Sequence, residues 1–302
     1  MSKRTKVILA VASVLVFVGA VVFAVSMAYL EWDFTKFSNV EYEIFEYEIN
    51  EEFDSISVDT LASDVVFLLS DDNVCKVISK EHNKVRYSVR VDGSKLMIKA
   101  VDTRKWYEHI GINFGSGELK VYLPAAEYKS LVIKCKTSDI EIPNQFKFKT
   151  VDIKSSTGGI KCLASVENYI KIITSTGDIT LKDITAYKID ISVSTGKTTL
   201  EDVDCENLIV EGNTGDVILK DVVASEKFLI ETDTGDVKLE KSDAKEISIE
   251  TDTGDIKGTL LTGKIFVAES DTGRINVPDS SNGGKCKLET DTGDIVINIV
   301  NP

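Results

Sequence analysis

Aspartates recur one residue after the dipeptide Thr-Gly throughout the second half of the chain. A regular column of carboxylates could bind a hard cation such as Ca²⁺, which takes several oxygen ligands. Alternatively, each Asp serves its own turn, because Asp side chains hydrogen-bond to neighbouring backbone. The aspartates are Asp178, Asp216, Asp236, Asp255 and Asp294, with Asp139 and Asp64 in two related segments where Ser replaces Gly.

Two basic residues interrupt this column. Lys197 falls between Asp178 and Asp216, and Arg274 between Asp255 and Asp294, so both are interpreted as charge relief between repeats. The spacing also differs from that of the short double-glycine calcium repeat, which favours the turn role. If calcium binds, the predicted site is the stretch without a basic residue in the column. That stretch comprises Asp216, Asp233, Asp236, Asp252 and Asp255.

Catalytic motifs are missing from the sequence. It contains no G-x-S-x-G, H-E-x-x-H or G-x-x-x-x-G-K segment. A polysaccharide-active β-helix enzyme, the least favoured alternative, would need one repeat with its own cluster of Asp, Arg, Lys or His, and no repeat has one. The chain is therefore predicted to be no enzyme, with no catalytic or cofactor-binding residue.

Cysteine, histidine and charge content exclude further classes. The five cysteines show no C-x-x-C spacing and there are two histidines, which disfavours a zinc site. Most of the cysteines are predicted to be small buried apolar residues, and their odd number leaves at least one thiol unpaired within the chain. A formal net charge of −14 without a basic cluster argues against nucleic-acid binding.

A short aromatic segment stands outside the repeat pattern. Functionally, these side chains could contact a partner or a saccharide. The simpler interpretation is a hydrophobic cap over the end of a repeat array, since terminal repeats need covering. The residues are Trp106, Tyr107, His109 and Phe114.

The Thr-Gly dipeptides mark a repeat with successive spacings of 19 or 20 residues. Such a fixed period is typical of a solenoid. Apolar residues alternate before and after each glycine, which predicts two short strands per repeat joined at a glycine corner. The predicted corner glycines are Gly158, Gly177, Gly196, Gly215, Gly235, Gly254, Gly273 and Gly293.

The predicted fold is therefore all-β: a β-solenoid, similar to a parallel β-helix, preceded by one transmembrane helix. Stacking successive repeats in sequence order would pair each strand with its parallel neighbour and bury aliphatic columns. Residues 131–302 are assigned to the repeats. Residues 51–130 are assigned to an N-terminal β region with a first rung and a cap insert.

The N-terminus predicts a single membrane span. Basic residues Lys3, Arg4 and Lys6 precede an uncharged stretch over residues 7–30. Its length suffices for a bilayer, and the charge bias puts residues 1–6 in the cytoplasm and residues 31–302 outside. Residues 31–50 are predicted to be a juxtamembrane linker. The alternative is a signal peptide cleaved near Ala28.

The turn motifs STGDI at 175–179, DTGDV at 233–237, and DTGDI at 252–256 and 291–295 resemble those of a known family. This is the bacterial "putative adhesin" β-strand-repeat family, of the domain-of-unknown-function type. Lys105-Trp106-Tyr107 and residues 110–114 add to the resemblance, which spans residues 50–300. It implies a β-solenoid and an envelope location.

The expected function is a cell-surface adhesin or envelope scaffold with a non-catalytic binding surface. Its partner would be a cell-wall polymer, a host glycan or an envelope protein. The alternative is an envelope-stress sensor that regulates another membrane protein. A cytoplasmic tail of about six residues requires such a second protein, since it is too short to fold alone.

Overall fold

The computed structural model describes residues 2–32, 42–82, 84–105 and 117–300. The chain divides into two compact units, of which the first contains the N-terminal helix α1 (Lys3–Tyr29). This helix of 27 residues has a mean hydropathy of 3.0 over its most apolar window. It is long and apolar enough to cross a membrane. An anchor and a signal sequence both have these properties.

The second unit is built from β-strands. They are β1 (Tyr42–Ile49), β2 (Ser55–Asp59), β3 (Ser63–Leu69), β4 (Cys75–His82), β5 (Val85–Asp92), β6 (Lys95–Asp102), β7 (Gly117–Leu123), β8 (Glu127–Lys134), β9 (Ile140–Ile142), β10 (Lys147–Thr157), β11 (Ile160–Cys162), β12 (Ser165–Thr176), β13 (Ile179–Thr195), β14 (Thr198–Thr214), β15 (Val217–Thr234), β16 (Val237–Thr253), β17 (Ile256–Leu260), β18 (Lys264–Thr272), β19 (Ile275–Asn276), β20 (Gly284–Thr292) and β21 (Ile295–Ile299).

The predicted β-solenoid is confirmed, and its repeats stack as parallel rungs in register. Ile170, for example, pairs with Ile189, which pairs with Leu208. Like side chains therefore lie about 4.8 Å apart in columns. The inward columns are fully buried, with Phe228 and Ile247 continuing this one.

Each central rung has three inward-facing sides, whereas the sequence predicted two strands. After the corner glycine and the second side, the chain bends again and buries a third pair. In one rung this pair is Ile184 and Ala186, and in the next Val203 and Cys205. The backbone stays hydrogen-bonded through the bend, so β13 to β16 are strands of 17 or 18 residues.

A column of non-glycine residues with positive φ makes this second bend. Asp183, Asp202, Asp221 and Lys241 have φ between 46° and 55°. Asp tolerates this left-handed conformation better than most residues. The sequence does show alternating apolar and polar residues after this bend. Because the apolar positions include small residues such as Ala186, the pattern indicates a strand only weakly.

At the C-terminal end, the order in space differs from the order in sequence. The strand β16 pairs with β20 rather than β18, and β17 pairs with β21. The outermost rung is formed by β18 and β19, which pair with the outer edges of β20 and β21. Sequential stacking was therefore a wrong prediction here, because the last rung inserts beneath the one before it.

At the N-terminal end, too, the order of the rungs in space differs from their order in sequence. The first rung, β2 and β3, pairs directly with β8 and β9, and a rung of β6 and β7 lies outside it. Antiparallel strands then cover this end, with β5 on β6 and β4 on β7. Residues 42–49, assigned from sequence to the linker, form β1, which pairs with β4.

All five cysteines are buried, as predicted for most of them, and none forms a disulfide bond. Burial raises the pKa of the Cys75, Cys205 and Cys286 thiols to about 12, and that of Cys162 to about 11. These thiols are protonated at neutral pH and therefore unreactive in the folded state.

Candidate functional site

The glycine corners form a tightly stacked column. Seven of the eight predicted glycines have φ between 126° and 159°, and Gly273 is the exception. A Cβ built on Gly235 would overlap the carbonyl oxygen of Gly215 in the rung below. The position therefore needs glycine for two reasons, conformation and close backbone approach.

The aspartate column caps the corner backbone of the neighbouring rung. Asp216 Oδ1 accepts a hydrogen bond from the backbone N–H of Asp236 at 3.1 Å. Asp236 Oδ1 accepts in turn from Asp255 N at 3.0 Å, and Asp255 Oδ1 from Asp294 N at 2.7 Å. Asp64, Asp139 and Asp178 make the equivalent bonds. One oxygen of each carboxylate is thus committed to the turn.

Hydroxyl groups complete the corner. Thr251 Oγ1 donates to the Gly235 carbonyl at 3.2 Å and Thr290 Oγ1 to the Gly254 carbonyl at 3.0 Å. The backbone N–H of Gly235 donates to the Thr253 carbonyl at 2.9 Å. The Gly and Asp of the Thr-Gly-Asp motif are therefore explained by close backbone approach and hydrogen bonding between rungs, to which the motif threonine contributes its backbone carbonyl.

Basic residues neutralise this column more extensively than the sequence indicated. The predicted charge relief by Arg274 is confirmed, since its Nη2 lies 2.8 Å from Asp294 Oδ2. Lys197 contributes its backbone N–H to Asp178. The stretch thought to lack a cation contains two, because Lys238 Nζ lies 3.1 Å from Asp236 Oδ2 and 3.5 Å from Asp216 Oδ2.

The second cation of this stretch is Lys257, which pairs with Asp255. The other two residues of the predicted calcium set, Asp233 and Asp252, lie on the outward side of the strand that precedes the corner. Among the described residues, no three acidic, His or Cys side chains come together in a metal-binding geometry. The five aspartates thus belong to two different faces.

A hollow interrupts the aspartate column at Gly159, which takes the place of an Asp. The hollow measures about 340 Å³ and is lined by Asp64, Asp139 and Asp178. Lys161 closes one side through its ion pair with Glu141, at 2.9 Å. At this rung the corner therefore has no side chain in the position that Asp occupies in most of the others.

The other face carries an unneutralised acidic ladder. Five glutamates lie opposite one another on five adjacent strands, about 4.8 Å apart. Four aspartates two residues further on form a second column. We call these nine residues the acidic ladder face: Glu211, Glu231, Glu250, Glu289, Glu269, Asp233, Asp252, Asp291 and Asp271.

Few basic side chains neutralise the negative charge of the acidic ladder face. Within the described ranges, Glu289 alone of the nine carboxylates forms an ion pair, with Lys287. Glu289, followed by Glu250 and Glu269, raises the pKa of Lys287. Asn213 donates to Asp233 Oδ2 at 3.1 Å. A hollow of about 290 Å³ lies on this face between Glu211 and Asp252.

Sequence reasoning missed the glutamate column. Its signal was the glutamate four residues before each Thr-Gly glycine, as in the ETDTG segments at 231–235, 250–254 and 289–293. The predicted cap or partner residues Trp106, Tyr107, His109 and Phe114 lie outside the described residues.

Comparison with known proteins identifies the family. A family model described as Toastrack DUF4097 matches residues 53–217 and 188–302. None of the curated proteins matches the chain. A putative adhesin from Parabacteroides distasonis ATCC 8503 is 12% identical with a TM-score of 0.45, covering 86% of this chain and 98% of that one.

Two further solved structures are similar at the same level. A putative lipid binding protein from the same strain is 18% identical, with a TM-score of 0.44 and coverage of 87% and 98%. A putative adhesin from Parabacteroides merdae ATCC 43184 is 13% identical, with a TM-score of 0.39 and coverage of 87% and 98%. The resemblance drawn from the DTGDI-type motifs is confirmed. The two family matches together span most of the sequence, and the chain belongs to the Toastrack DUF4097 family.

Proposed function

We propose that this protein is a membrane-anchored, extracytoplasmic binding scaffold without catalytic activity, and that the acidic ladder face is its binding surface. The observation that carries the proposal is the contrast between the two outward faces. On the corner column the carboxylates are bonded to backbone and to lysines. On the acidic ladder face they are directed to solvent.

Rigidity supports the proposal. Each glutamate of the face is fixed on a strand whose register is set by parallel pairing on both sides or, for Glu269, on one. A partner with regularly spaced cations would therefore meet a preorganised row, and little ordering entropy would be lost. The carboxylates repel one another at a spacing of about 4.8 Å, which raises the electrostatic free energy of the unbound face. Binding of cations lowers this free energy.

The charge favours one class of partner over the others. A basic surface of an envelope protein complements the face, whereas anionic wall polymers would be repelled. Calcium bridging to an anionic polymer is the remaining route to the wall or to a host glycan. The helix α1 would hold the scaffold at the outer side of the membrane, with the N-terminus in the cytoplasm.

Pull-down experiments with the full chain in detergent test this function. The baits are isolated cell-wall sacculi, mucin and solubilised membrane proteins, each with and without Ca²⁺. We expect retention by membrane proteins without Ca²⁺, weakened at high salt. Retention only on sacculi or mucin would show that the partner is a wall polymer or a glycan rather than an envelope protein. Failure to bind any of the three baits would overturn the scaffold function.

A matched pair of variants assigns the surface. The first neutralises the acidic ladder face by Glu211→Gln, Glu231→Gln and Glu250→Gln. The control makes the same charge change elsewhere, by Glu118→Gln, Glu141→Gln and Glu201→Gln, whose carboxylates are paired with lysines. Loss of binding in the first variant alone is expected. Equal loss in both would show that net charge rather than this face controls binding.

A further inference from the structure

A buried lysine and aspartate lie in contact near the C-terminal end of the solenoid. Lys264 Nζ is 2.6 Å from Asp243 Oδ1, and the two side chains are 5% and 8% exposed. In the other ion pairs between described residues at least one side chain is well exposed, as for Lys238 and Asp236 at 47% and 37%. The Lys264–Asp243 pair is therefore unusual in this molecule.

The hydrogen bonding of this pair is incomplete. The Thr262 hydroxyl donates to Asp243 Oδ2 and accepts from Lys264 Nζ, both at 2.6 Å. Asp243 Oδ1 has no partner in hydrogen-bond geometry, although Nζ is its close neighbour. A buried ion pair is stable only when further hydrogen bonds satisfy its charges. Here the amine and the carboxyl group are in contact and almost fully removed from solvent.

Their position in the fold is also distinctive. Asp243 belongs to β16, and Lys264 begins β18, the outermost rung. The strand β20 lies between them and presents Gly284 opposite Lys264, so this register position carries no side chain. A hollow of about 270 Å³ adjoins the pair, with Val223 and Leu261 among its apolar lining.

We propose that Lys264 and Asp243 condense to form an intramolecular isopeptide bond. The Lys264 ammonium first gives a proton to Asp243 Oδ1, and the neutral amine then attacks Cγ. The Cγ–Oδ1 bond breaks, and Oδ1 leaves as water with that proton and a second one from Nζ. Oδ2 remains as the amide oxygen. The reaction needs no oxidant or co-reactant.

The surroundings favour each step. The neutral acid and amine are the reactive forms, and the short contact between Nζ and Oδ1 lets the proton pass directly from one group to the other. The Thr262 hydroxyl donates to Oδ2, where negative charge develops in the tetrahedral intermediate. Fixing the amine beside the carboxyl group replaces a bimolecular encounter, an effect that reaches about 10⁵ M or more in effective concentration.

The bond would fasten the outermost rung. It would link β16 to the start of β18 across β20, at the point where the chain passes over the inserted last rung. A covalent link between these strands opposes fraying of an end that otherwise pairs on one side only. This role is independent of the binding function proposed above, because neither Lys264 nor Asp243 belongs to the acidic ladder face.

Mass spectrometry of the purified full chain tests the proposal directly. The expected mass is about 18 Da below that of the sequence, through loss of one water. Trypsin should release residues 242–245 joined to residues 258–274, with Lys264 uncut. A full mass, with separate peptides ending at Lys245 and Lys264, would show an ordinary buried ion pair and overturn the proposal.

Variants assign the linkage to these side chains. Asp243→Ala and Lys264→Arg should both restore the full mass, whereas Lys245→Arg, a neighbour whose lysine pairs with Glu226 at the surface, should keep the deficit. A deficit that persists in Asp243→Ala would rule out this pair. Thr262→Val should slow appearance of the deficit after refolding by about 100-fold, as for loss of one oxyanion donor. Formation at the wild-type rate would remove Thr262 from the mechanism.

Discussion

The central rungs and the two ends of the solenoid obey different rules. Between β12 and β16, neighbours in space are neighbours in sequence, and strands continue through the bends. At both ends the outermost rung comes from an internal segment, and the terminal segment inserts beneath it. In the centre Phe228 is fully buried, whereas its counterpart Phe266 in the outermost rung is half-buried.

This difference shows which interactions repeat and which occur once. A central rung is specified by identical contacts on two sides, so the repeat alone encodes it. A rung at an end pairs with only one neighbouring rung and needs additional stabilising interactions of its own. At the N-terminal end, β4 and β5 pair antiparallel with the outermost rung and cover it. At the C-terminal end, β20 and β21 insert beneath the outermost rung, with the Lys264–Asp243 pair beside them.

The largest effect is expected in the glycine column of the centre. Gly235→Val forces a β-branched residue into a φ of 153° and drives its Cβ into the Gly215 carbonyl. Because the backbone of two rungs would have to separate, we expect a loss of more than about 4 kcal/mol in unfolding free energy. Urea unfolding followed by circular dichroism measures it.

Gly93 supplies the matched control from an end. It has a φ of 62° in the β5–β6 hairpin, and a Cβ there would contact nothing within 4 Å. Gly93→Ala should therefore cost only the left-handed backbone strain, about 1–2 kcal/mol. Because alanine lacks the β-branch of valine, Gly235→Ala is measured beside it. Equal losses for the two alanine variants would mean that conformation alone, and not close stacking of rungs, makes the corner glycines necessary.

The sequence predicts the centre well because the information there is repeated. The Thr-Gly-Asp corner and the columns of Ile170 and Ile179 recur at a fixed period, so their role could be inferred without knowing the fold. The third side was harder, since Ala186 and Cys205 are small and follow a bend made by aspartates rather than glycine.

The ends could not be predicted for a physical reason. Units beginning near Phe266 and Cys286 both match the repeat, and either could dock on β16 by register alone. Their order depends on the connection over residues 277–284 and on how Gly284 packs against the Lys245 backbone. Likewise, the ion-pair partner of Asp216 is Lys238 on the adjacent strand β16, which a pattern confined to one column omits.

A smaller effect, sensitive to salt near the end but not in the centre, is expected in the aspartate column. The Asp255 backbone N–H, with Lys238 contributing less, holds the pKa of Asp236 below its usual value. Asp236→Ala should cost about 1 kcal/mol at neutral pH through loss of this hydrogen bond. Near the end, the Arg274 side chain is the main cause of the lowered pKa of Asp294.

The pH and salt profiles separate the two cases. A lowered carboxyl pKa contributes stability that is complete above the unfolded value of about 3.9 and is lost as the pH falls through the folded value. The difference between wild type and Asp236→Ala should therefore shrink below about pH 4 and be insensitive to salt. The effect of Asp294→Ala should decrease in about 1 M salt, which screens exposed charges. Similar salt sensitivity at both sites would contradict the backbone role of Asp236.

The smallest and most local effect concerns opening from the ends. Cys75 in the outer strand β4 and Cys162 in β11 are both buried, with thiol pKa values raised to about 12 and about 11. Since protonated, buried thiols do not alkylate, reaction requires local opening. A pulse of iodoacetamide followed by peptide mass spectrometry should label Cys75 at least about 10-fold faster, because β1 and β4 cover the end of the solenoid and can open without separating two stacked rungs, as exposure of Cys162 requires. Equal labelling rates for Cys75 and Cys162 would show that the solenoid opens as one cooperative unit. The centre and the ends would then differ in the order of their strands but not in their local stability.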